Sequence, residues 1–88
     1  MRAKKSVVLR EIAGEHILVP SGSDAGEVMG IMTLNDSGVL LWKLLSEREC
    51  TTETLIESLL GEYEVERDIA AADVESFINS LNTVKLLE

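Results

Sequence analysis

Cys50 and His16 are the only thiol and the only imidazole in the chain, the first candidates for a nucleophile and a general base. A thiolate nucleophile needs a positive surrounding or a neighbouring base. Cys50 has Glu47 and Glu49 before it and Glu53 after it, which is the wrong sign, so it reads as a small apolar linker residue. His16 falls inside an expected strand and reads as a surface or half-buried residue. Zinc needs paired Cys or His spacing, and calcium needs an ordered loop of oxygen ligands; the chain shows neither pattern. Phosphate cradles need glycines in register at a helix start, whereas Gly22 and Gly26 stand in a polar loop that leads into a strand. The chain therefore reads as a non-enzyme that uses no metal and no cofactor.

The elements that would position any site follow from hydrophobic period. Residues 7–12 (VVLREI) and 15–20 (EHILVP) are rich in Val, Ile and Leu and are separated by Ala13-Gly14, which predicts a β-hairpin. Ala is a poor choice for the first position of a primed turn. After the polar loop 21–27, residues 28–34 (VMGIMTL) predict a third strand, bounded by the capping chemistry of Asn35-Asp36. The period then changes. Residues 36–47 are apolar on nearly every side, as in a helix at the centre of a fold. Thr51 or Thr52 caps a second helix over about 52–62, with Leu55, Ile56, Leu59 and Leu60 inward. A third helix, roughly 66–82, carries Ala70, Val74, Phe77, Ile78 and Leu81 on one stripe. Leu86-Leu87 close the chain as an extended tail packed back on the body. The expected fold class is α+β: a three-stranded antiparallel sheet followed by three helices, winged-helix-like, with residues 1–88 forming a single domain.

Charge narrows the partners. The net charge is −8 and the isoelectric point is near 4.5, a surface that repels nucleic acid and anionic membranes. A winged-helix shape raises DNA binding, but Arg67 is the only basic residue on helix three, among Glu66, Asp68, Asp73 and Glu75. A recognition helix needs Lys and Arg, so the regulator reading is the weakest. The basic start Met1-Arg-Ala-Lys-Lys is followed by a stretch that Arg10, Glu11, Glu15 and His16 interrupt, which argues against a signal peptide. One cysteine forms no internal disulfide and suits a reducing, cytoplasmic setting.

A peptide-binding edge is what the residues leave. In 28–34, Val28, Met32 and Leu34 share one face and Met29, Ile31 and Thr33 the other, so both faces are largely apolar. Edge strands usually carry charge or Pro against unwanted pairing, and this one carries neither. Gly30 permits close backbone approach, and the methionines suit an adaptable apolar contact. An unguarded edge accepts another strand, with backbone bonds for affinity and pockets for selectivity. The alternative is an ordinary strand covered by its neighbours or by the mate in a homodimer.

The order of these segments and several strings resemble the PqqD-like family of peptide-recognition proteins. The resemblance rests on residues 9–20 (LREIAGEHILVP), on Gly30-Ile-Met-Thr-Leu-Asn35 running into Ser37-Gly38 and Trp42, and on Thr51-Thr52. Asp73-Val74 with Phe77, and the closing Leu86-Leu87, complete it. The family often has Gly before its final leucines; here Asn82-Thr83-Val84-Lys85 stands there, and Asn82 is a residue that can take the left-handed cap conformation. The resemblance implies a recognition element for ribosomally made, post-translationally modified peptides. Such a domain binds the precursor's leader as an extra strand on the third strand, in the groove against the third helix. It then delivers the peptide to a modifying enzyme, with the radical S-adenosylmethionine class favoured and lasso-peptide machinery second.

Carried onto this chain, the peptide-binding residues would be Val28, Met29, Gly30, Ile31, Met32, Thr33 and Leu34 of the strand, with Ile69, Asp73 and Phe77 of the helix. The backbone of Met29, Ile31 and Thr33 would pair with the leader, or in the other register that of Gly30 and Met32. Asp73 is placed to pair with a leader Lys or Arg. Ile69 and Asp73 lie on one flank of the buried stripe, Arg67, Ala71 and Glu75 on the other, and the sequence leaves open which flank meets the strand.

Overall fold

The structure is a computed structural model that describes residues 1–21 and 32–88. Its elements run β1 (Val7–Ile12), β2 (Glu15–Pro20), β3 (Met32–Leu34), α1 (Asp36–Glu47), α2 (Thr52–Glu62) and α3 (Arg67–Thr83). The sheet is antiparallel in the order β1-β2-β3. The expected α+β architecture is the observed one, and β1, β2, α1 and α2 keep their expected bounds. Of the strand expected over 28–34, the part from Val28 to Ile31 lies outside the described residues.

Ala13 and Gly14 both take positive φ, 53° and 83°, so the hairpin closes through a two-residue primed turn. Its register sets Leu9 opposite Leu18, which faces Met32 in turn; with Val7 and Leu34 these residues form the face laid on the helices. Val8, Arg10, Ile12, Ile17 and Thr33 fall on the other face.

α1 begins where Asn35 Oδ1 accepts a hydrogen bond from the Gly38 amide at 2.9 Å. Its buried residues Gly38, Leu41, Trp42 and Leu45 recur at three- and four-residue spacing, and Val39, Leu40 and Leu44 pack half-buried around them. Thr51, rather than Thr52, caps α2, its Oγ1 accepting from the Thr54 amide at 3.1 Å. α3 buries Ala70, Val74 and Leu81 completely, with Phe77 and Ile78 half-buried beside them. Arg67 at its start donates to Glu53 of α2, an exposed pair that ties the two helices at their ends.

The end of α3 differs from expectation. Asn82 is helical, and the left-handed residue is Lys85, at φ 60°. The Lys85 amide donates to Asn82 O and the Leu86 amide to Leu81 O, at 3.2 and 2.9 Å. Those two bonds make a Schellman cap, and the fully buried Leu81 and Leu86 supply the apolar contact that accompanies it. The tail packs back as expected: Leu87 bridges Ala3, and the Lys4 amide donates to Leu86 O at 3.0 Å.

The start of the chain is tied in beside it. The Met1 ammonium donates to Glu49 Oε1 at 2.6 Å and to Cys50 O at 2.7 Å. That hydrogen bond and charge hold the Glu49 carboxyl below its ordinary range. Cys50 is buried and its thiol donates to the Leu44 and Arg48 carbonyls, a packing role. Among the described residues no helix is long and apolar enough to cross a membrane.

Candidate peptide-binding groove

β3 is an edge strand, with β2 on one side and no other strand of the described residues beyond it. Asn35 ends it by turning the chain into α1 one residue after Leu34. α1 approaches β3 closely through Gly38: a Cβ there would lie 3.2 Å from Asn35 Oδ1 and 3.4 Å from the Leu34 side chain. This leaves room for a groove along the strand's open side.

The groove encloses about 530 Å³. Met32, Thr33, Leu34 and Asn35 form one wall, and Ser37, Gly38 and Leu41 of α1 continue it, with Leu59 of α2 also lining the space. The opposite wall is α3, which contributes Asp73, Ser76, Phe77 and Ser80. These four recur at i, i+3, i+4 and i+7, one helical stripe beside the buried one. The flank containing Asp73 therefore lines the groove, and Arg67, Ala71 and Glu75 do not. Asp73 is the sole charged side chain of the described residues in this lining. Phe77 is half-buried against the core and also lines the groove, offering an aromatic surface.

Of the residues singled out from the sequence, the structure brings together Met32, Thr33, Leu34, Asp73 and Phe77. Ile69 is outside the lining and is 52% exposed, one turn before Asp73. Val28, Met29, Gly30 and Ile31 lie outside the described residues. Asn35, Ser37, Gly38, Ser76 and Ser80 line the groove without being among the residues expected to bind peptide. The stripe spacing from Asp73 was the available signal for the two α3 serines, but serine on a helix also marks an ordinary solvated face. The remaining three owe their place to how α1 sits under β3.

Among the described residues no His or Cys lines the groove, and no group of three or more His, Cys, Asp or Glu is arranged to hold a metal ion. What the groove offers is backbone hydrogen-bonding groups along β3, apolar surface from Met32, Leu34 and Phe77, and one carboxylate.

Comparison with known proteins follows the same line. The solved structure "TbiB1 in Complex with the TbiA(beta) Leader Peptide" superposes with a TM-score of 0.75 at 26% identity, covering 100% of this chain and 95% of that one. "Lasso peptide synthetase B1 complexed with the leader peptide" shares the fold, with a TM-score of 0.67 at 23% identity over 93% of this chain and 89% of that one. None of the curated proteins matches. The family described as coenzyme PQQ synthesis protein D (PqqD) matches residues 15–87, from the second hairpin strand through the buried tail. The chain belongs to the PqqD family.

Proposed function

We propose that this protein is a non-catalytic adaptor that binds the leader of a ribosomally made precursor peptide and presents it to a separate modifying enzyme. The observation that carries the reading is the pairing of an open strand edge with a helix stripe across one groove. A leader strand laid along β3 gains main-chain hydrogen bonds on one side and places alternate side chains against Phe77 and Leu34. Membership of the PqqD family and the leader peptide named with TbiB1 support the same reading. Nothing in these relatives favours the radical S-adenosylmethionine class for the partner enzyme. The synthetase named among them belongs to lasso-peptide machinery, so both classes stand as partners to test. The adaptor works in the cytoplasm, where the buried Cys50 thiol stays reduced.

The test is titration with the labelled leader of a short precursor encoded beside this gene, against Met32→Pro and Thr33→Pro. Amides alternate in direction along a strand, so one substitution removes an N–H that points away from β2 and the other one that points toward it. The outward position should lose leader affinity by about tenfold or more with circular dichroism unchanged. Full affinity in both variants would contradict strand addition.

A further inference from the structure

Beyond Asn35 the groove opens into a second, shallower pocket of about 320 Å³. The two spaces share Asn35, Ser37, Leu59 and Asp73, so they are continuous. What the second one adds is Asp36 at the start of α1, Tyr63 at the end of α2, and Val65 in the connector to α3. Tyr63 and Val65 are each 39% exposed, large apolar surfaces left open to water. The two charged residues that line the pocket, Asp36 and Asp73, are both acidic. Glu62, Glu64 and Glu66, also exposed, alternate with Tyr63 and Val65 along the chain. The nearest cation in sequence, Arg67, is engaged by Glu53. The acidity does not fit a metal site, since no such cluster exists among the described residues.

We infer that this second pocket selects a lysine or arginine of the leader, at a position that flanks the segment paired with β3. The inference rests on the leader-binding reading and deepens it by naming a side-chain class. The chemistry is an apolar wall topped by carboxylates. A Lys or Arg lays its methylene stem along Tyr63 and Val65 and holds its charged head at Asp36 and Asp73. The Tyr63 ring adds a face on which a cation can rest. The placement follows from the strand geometry. The pocket starts at the residue after β3, and two residues of extended peptide span about 7 Å. A leader that leaves the strand edge therefore passes over this pocket within a residue or two.

The test is a positional scan. Each residue of the labelled neighbouring leader is replaced in turn by Lys, norleucine or Glu, and each peptide is titrated against the wild-type protein and Asp36→Asn/Asp73→Asn. Norleucine keeps the stem and removes the charge. One position outside the paired segment should bind about fivefold tighter with Lys than with norleucine, and weakest with Glu. That preference should shrink below about twofold in about 0.5 M salt and in the double variant. A scan in which Lys nowhere exceeds norleucine, or in which the preference survives in the double variant, would overturn the pocket while leaving the groove reading intact. A protein that binds no peptide of the set, including the unmodified leader, would remove both.

Discussion

Ala13 shows how one residue can be legible from sequence yet acquire its energetic meaning only from the structure. The pair Ala13-Gly14 announces a two-residue hairpin, and the alanine is flagged as a poor occupant. The backbone supplies the reason, because Ala13 sits at φ 53°. A residue with a Cβ pays about 1–2 kcal/mol in the left-handed region, while glycine costs about 0.5–1 kcal/mol more in chain entropy. Ala13→Gly should therefore stabilise the protein by about 0.5–1 kcal/mol, seen as a higher urea midpoint with an unchanged slope. A lower midpoint would mean that the turn is not primed. In the groove, Asp73 and Phe77 stand out in the sequence because one is a charge beside a regular apolar stripe and the other an aromatic ring on it. Ser76 and Ser80 stay silent there for want of any chemical signature. Ile69 attracts notice as an exposed apolar residue, but a turn of α3 separates it from the lining residue Asp73.

At the scale of elements, period and capping chemistry carry most of the information. The expected bounds of α1 and α2 match because Asn35 and Thr51 both supply side-chain caps next to strongly apolar runs. α3 starts at Arg67 with Glu66 as a cap that makes no side-chain hydrogen bond, which is why its start reads one residue early. Its apolar period runs out near Asn82, a residue that can take the left-handed conformation. The cap instead falls where Leu86 can reach the core, since burying that side chain fixes the two Schellman bonds around Lys85. Tertiary burial overrides local preference here. Lys85→Gly should remove the left-handed strain and raise the melting temperature by a few degrees, about 0.5–1 kcal/mol, with peptide binding unchanged. A neutral or destabilising result would mean that the lysine side chain makes a compensating contact.

The groove is a property of the whole molecule. It exists because the sheet packs one face on the helices, leaves β3 at the margin, and brings the Asp73 flank of α3 opposite that margin. Sequence order predicts the layers, but the choice of flank depends on the angle at which α3 crosses, which no local pattern encodes. The charge of −8 acts on the same scale, repelling polyanions and drawing basic peptides from a distance. Leader association should therefore slow as salt rises, more than dissociation quickens, in stopped-flow traces. Equal association rates at low and high salt would show that the molecule's overall charge plays no part in capture.

The most direct measurement is a backbone amide NMR titration of the protein with the unlabelled leader of the neighbouring precursor. Strand addition predicts perturbations concentrated in residues 32–38 and 73–80, with the β1 edge from Val7 to Ile12 unchanged. Perturbations centred on β1, or none at saturating peptide, would contradict it.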